Sequence, residues 1–99
     1  MVKIKINYIK DNIDEIMITG HSGYDVSGKD IVCASVSSIV ITTINAILNF
    51  DKTINFIEDY GLIKIKVIKN DKITKTLLLN MINMFNELEK KYNKYIKII

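Results

Sequence analysis

At 99 residues the chain has room for one domain and one hydrophobic core. A hydrophobic share of 48% and a charged share of 25% make an ordinary globular mixture, which argues against disorder. One cysteine and one histidine exclude an internal disulfide and CxxC-type metal frameworks, so no metal and no cofactor is expected.

The remaining bias lies elsewhere. Ile (21), Lys (14) and Asn (10) supply 45 of 99 residues, the signature of an A/T-rich genome, and Arg, Trp, Gln and Pro are absent. Guanine and phosphate are usually gripped by the bidentate guanidinium of Arg, so direct nucleic-acid recognition is not expected. The net charge is only +3, and its lysines are scattered as on a solvated face. The most apolar stretch, Ile39 to Leu48, is broken by Thr42, Thr43 and Asn45, so no membrane partner is expected. The first residues alternate as a strand does and do not form a signal-type apolar block. With its lone free thiol, the chain reads as cytoplasmic.

Val2 to Tyr8 sets Val2, Ile4, Ile6 and Tyr8 against Lys3, Lys5 and Asn7, the period-two pattern of a half-buried strand. Asp11-Asn12 supplies a turn, and Ile13 to Thr19 returns as a second strand. Gly20 to Lys29 holds three of the four glycines and no apolar period, and it reads as a loop. From Ile31 to Asn49, Val32, Val36, Ile39, Val40, Ile44, Ile47 and Leu48 recur at three-and-four spacing. That spacing predicts a helix, although Ile39 to Ile44 is β-branched and favours a strand by propensity.

Thr53 to Asp59 and Leu62 to Ile68 flank Tyr60-Gly61 as a second hairpin. Asn70-Asp71 can cap a second helix carrying Leu77, Leu78, Met81, Ile82, Phe85 and Leu88 on one face. Lys94 to Ile99 reads as a last short strand. The order is ββα-ββα-β, an α+β sandwich of two helices on a mainly antiparallel or mixed sheet in one domain spanning residues 1–99. Ile9, Ile41, Tyr60, Ile98 and Ile99 exceed what so small a core can hide, which favours pairing of two copies.

Chemistry concentrates between Gly20 and Ser35, which contain His21, Cys33, Asp25 and Asp30. With Asp30 as N-cap, Cys33 is the third helical residue, beside the positive end of the helix dipole. Helix N-termini favour the thiolate over the thiol. Cys33 and His21 are then the minimal apparatus of nucleophilic acyl transfer, a thiolate and a base that later protonates the leaving amine. Backbone amides at the helix start are candidates for an oxyanion hole. No third triad member is evident. Asp25, Asp30 and Ser37 are the candidates to orient His21 or polarise the site, and Asp30 reads equally well as a plain cap. The plainer alternatives are a buried structural cysteine with a surface histidine, or a small basic binding protein that is not an enzyme.

Gly20-His21, followed by Gly28-Lys29-Asp30-Ile31-Val32-Cys33-Ala34-Ser35-Val36-Ser37, resembles the signature of the ribosomal-processing cysteine protease family (Prp). Its members carry Gly-His at a strand end and a G-x-D-[IV]-[VI]-C-A-[AG]-[VI]-S run opening a helix. Ser22 and Ser35 stand where Ala is common. The resemblance implies a Cys–His endopeptidase that removes a short N-terminal extension from ribosomal large-subunit protein twenty-seven, with His21 and Cys33 at the catalytic positions. It also implies a homodimer and a His-to-Cys loop that shapes the peptide groove. The loop residues expected to meet substrate are Gly23, Tyr24, Val26 and Gly28.

Overall fold

The computed structural model describes residues 1–21, 23 and 30–99. Strands β1 (Val2–Ile9) and β2 (Asn12–Thr19) form an antiparallel hairpin, and α1 (Ile31–Leu48) follows. A second hairpin, β3 (Ile54–Asp59) with β4 (Leu62–Val67), leads to α2 (Lys72–Lys91) and the short β5 (Ile96–Ile98). The strands lie in the order β3-β4-β2-β1-β5, with only β1 and β5 parallel. The ββα-ββα-β order and the mixed sheet match the expected α+β architecture.

Both helices cover one face. Alternate residues Val2, Ile4, Ile16, Ile18 and Ile65 of the sheet share one core with Val32, Val36 and Val40 of α1 and with Leu78, Met81 and Phe85 of α2. The opposite face carries Lys3, Lys5, Lys64 and Lys66, and there Lys66 Nζ meets Asp14 Oδ2 at 2.7 Å and Lys64 Nζ meets Glu15 Oε2 at 3.6 Å. Ile13 and Ile16 are both buried although three residues apart, because the register shifts between Asn7 and Tyr8. Asn7 pairs with Glu15 and Tyr8 with Ile13, so Asp14 is the extra residue of a bulge that returns β2 to phase.

The β-branched segment is helical, as its spacing predicts. Val36, Val40, Ile44 and Ile47 are buried on one stripe, which outweighs local propensity. Thr43 joins that stripe because its Oγ1 donates to the Ile39 carbonyl at 2.8 Å, leaving no bare hydroxyl in the core. Helix α1 as a whole is long and apolar enough to cross a membrane, more than the interrupted Ile39 to Leu48 run suggested. Six of its residues are buried in the core that it shares with the sheet and α2.

Most boundaries shift by a single residue, and two of the shifts have a visible cause. The first turn is Lys10-Asp11, with Lys10 at φ 55°, so Asn12 already belongs to β2. The last strand shortens to Ile96–Ile98, tied to α2 by the Ile98 N–H donating to Glu89 Oε2 at 2.7 Å. Of the surplus apolar residues, Ile9, Ile41, Tyr60 and Ile99 are exposed and Ile98 is half-buried against the core.

Candidate active site

The site lies where the end of β2, the start of α1 and the β3–β4 turn converge. Asp30 caps α1 with its Oδ1 accepting the N–H groups of Val32 at 3.1 Å and Cys33 at 3.0 Å. The structure thus gives Asp30 a capping role, and Cys33 is the third residue of the helix as its spacing predicts. Cys33 is half-buried against the core.

The cap alters one expectation. The Val32 and Cys33 amides are occupied by Asp30 Oδ1, and the Ala34 amide donates to the Asp30 carbonyl at 3.1 Å. These three amides are therefore not open donors for the oxyanion hole expected at the helix start: two serve the cap and the third makes the first bond of the helix.

His21 follows directly on β2. Gly20, at φ +86°, turns the chain there, and a Cβ on it would run into the Met1 carbonyl oxygen. Only glycine fits both demands. The Gly20 N–H donates to the Gly61 carbonyl at 2.9 Å, which ties the His-bearing end of β2 to the β3–β4 turn. There the His21 and Tyr60 rings stand 5.0 Å apart with a tilt of 49°.

His21 and Cys33 line one cleft of about 620 Å³ together with Val36, Ser37, Tyr60 and Gly61. Glu58 and Asp59 bring the fixed charge among the described lining residues, and both are acidic. Ser37 is exposed at this cleft. Ser35 points elsewhere: its Oγ donates to the Ile31 carbonyl at 2.6 Å, and it lines a shallow apolar groove between α1 and α2. Gly23 has φ +69°, and no described residue lies near its missing Cβ. Tyr24, Asp25, Val26 and Gly28 lie outside the described residues.

Sequence reasoning missed the contribution of Glu58 to Leu62 to the cleft. Tyr60-Gly61 read as a turn and Tyr60 as a surplus apolar residue, although an aromatic at a turn tip is the signal that could have tied it to a site. The described residues contain no group of three or more metal-ligating side chains.

A family model described as cysteine protease Prp matches residues 1–97. The ribosomal processing cysteine protease Prp of Staphylococcus aureus is 26% identical over 90 residues, which cover 87% of this chain and 85% of the relative. The fold is shared with the S. aureus Prp crystal structure holding a covalently linked product peptide. That match has a TM-score of 0.92 at 23% identity, over 99% of this chain and 97% of the other. The S. aureus structure with a substrate peptide matches at a TM-score of 0.82 and 24% identity, over 99% and 95% of the two chains.

Proposed function

Since the chain belongs to the cysteine protease Prp family and is an enzyme of that class, we propose that Cys33 is its nucleophile and His21 its general base and acid. The observation that carries this reading is the shared cleft: the lone thiol and the lone imidazole of the chain face the same cavity.

The Cys33 thiolate attacks the scissile carbonyl carbon, whose oxygen takes up the displaced electron pair. As the intermediate collapses, the C–N bond breaks and His21 gives its proton to the departing amine, leaving a thioester on Sγ. Water then enters. His21 takes one of its protons, the hydroxide adds to the thioester carbon, and the C–S bond breaks to release the carboxylic acid and restore the pair. Asp30 serves by fixing the helix turn from which Cys33 projects, and Ser37 lies within the same cleft as a polar wall.

The substrate we propose is the precursor of ribosomal large-subunit protein twenty-seven, cut to remove its N-terminal extension in the cytoplasm. It rests on the likeness to the S. aureus ribosomal processing enzyme and to its peptide complexes. A homodimer is part of the same reading, supported by the exposed apolar residues Ile31, Met84 and Ile41 on the helical layer. Incubating the host's precursor with the protein and weighing it by mass spectrometry tests the proposal. A shortened, mature N-terminus is expected, and an unchanged mass overturns the substrate assignment. Loss of cleavage in Cys33→Ser with an unaltered circular dichroism spectrum is expected for an enzyme. Retained function in that variant would favour the binding-protein alternative.

A further inference from the structure

In a Cys–His pair the imidazole must be aimed, because rotation about its side-chain bonds removes the base from the thiol. Among the described residues no carboxylate, amide or hydroxyl bonds to either ring nitrogen of His21. Its aromatic neighbour among them is Tyr60, at 5.0 Å between centroids and a tilt of 49°, a separation within the range of attractive aromatic pairs. Tyr60 is 91% exposed, so core packing does not explain an aromatic at this turn.

The backbone adds to this arrangement. Gly20 N–H to Gly61 carbonyl holds the two segments in register at 2.9 Å, so His21 and Tyr60 are carried on tethered supports. Gly61, at φ +72°, leaves open the side of the ring where a Cβ would stand 3.5 Å from His21 Nε2.

We propose that Tyr60 is a positioning residue of the proposed catalytic pair, holding the His21 imidazole toward Cys33 by ring contact. The inference rests on the Cys33–His21 reading above. It requires the aromatic face and not the hydroxyl. Tyr60→Phe therefore keeps the function, and Tyr60→Ala loses it at the catalytic step.

The chain has one histidine, so its imidazole C–H signals in an NMR spectrum are assigned without ambiguity. Ring-current displacement of these signals is expected in the parent and in Tyr60→Phe, and its disappearance in Tyr60→Ala. Peptide cleavage should show kcat reduced about 10- to 100-fold in Tyr60→Ala with KM within about twofold, the scale expected for a misplaced catalytic group. Tyr60→Phe should restore kcat to within about twofold. His21→Ala, measured beside them, separates the two levels. An active His21→Ala overturns the catalytic pair and the positioning role with it. An inactive His21→Ala with an undiminished kcat in Tyr60→Ala overturns the positioning role alone. A rise in KM without a fall in kcat also overturns it, since Tyr60 would then be touching substrate and not His21.

Discussion

Asp30 Oδ1 accepts the Cys33 backbone N–H at 3.0 Å, so the residue that starts α1 also fixes the turn from which the thiol projects. Capping and site geometry are here the same hydrogen bond. Asp30→Ala should destabilise the domain by about 1 kcal/mol, the usual worth of an N-cap. That corresponds to a fall in Tm of about 4–8 °C for a domain of this size. Asp30→Asn, an equally good cap, should keep Tm within about 2 °C. Thermal unfolding of the two variants checks this, and equal losses would show that the carboxylate has a role beyond the cap.

Cys33 should be the single site of iodoacetamide modification, and its modification should abolish cleavage. His21→Ala should cost at least the ~10²–10⁴-fold that general acid–base catalysis contributes. Intact-mass analysis paired with a peptide cleavage assay reads both. Cleavage surviving in Cys33→Ala would reject the nucleophile.

Gly20→Ala and Gly61→Ala should differ in kind. At position 20 a Cβ meets the rigid Met1 carbonyl and the backbone is at φ +86°, so folding stability should fall sharply. At position 61 the nearest atom is the His21 ring nitrogen at 3.5 Å, an ordinary contact, and only the φ of +72° is costly. A loss of about 1–2 kcal/mol is expected there, with the fold retained. Chemical denaturation of the two variants would reveal the order, and equal stability losses would contradict it.

The Thr53 and Thr74 hydroxyls, both buried, share a hydrogen bond of 2.5 Å that fastens the start of β3 to the first turn of α2. Thr74→Val leaves the Thr53 hydroxyl buried and unpaired, for a cost of about 1–3 kcal/mol. The double variant Thr53→Val, Thr74→Val should be less destabilised than the sum of the singles. Urea titration of all four proteins measures the coupling, and strict additivity would deny the pair.

Asp71 has its carboxyl held below the ordinary value, first by the Thr74 backbone N–H that it caps and then by the Thr74 hydroxyl. The unfolded chain therefore binds the Asp71 proton at a higher pH than the folded one. The contribution is present above the ordinary value of 3.8 and is lost as pH falls through the lowered folded value. Parent stability should decline in that acid window more steeply than that of Asp71→Asn, as read by denaturant midpoints across pH. Parallel declines would remove Asp71 as the source.

Local pattern was enough for most elements. Alternation in Val2 to Tyr8, the three-and-four stripe from Val32 to Ile47 and the Asp30 and Asp71 caps act over a few residues, and the chain displays them directly. Gly20-His21 and the Asp30–Ser37 run likewise pointed to the two candidate side chains and to the helix position of Cys33. The β-bulge at Asp14 was less visible, because only pairing with β1 shows which of Asp14 and Glu15 is extra.

What the tertiary structure decided is how distant segments meet. The strand order β3-β4-β2-β1-β5 lays β4 against β2, which brings Tyr60-Gly61 beside His21 some forty residues earlier in the chain. It also sets Met1 against Gly20, giving that glycine its necessity. The sequence determined by itself which residues are the candidates for chemistry and which faces are apolar, since both are properties of side chains and short-range periodicity. It could not determine that the Val32 and Cys33 amides are taken by the Asp30 side chain, or that an exposed tyrosine stands beside the imidazole. Those follow from hydrogen-bond geometry and sheet register, which exist only once the strands have paired.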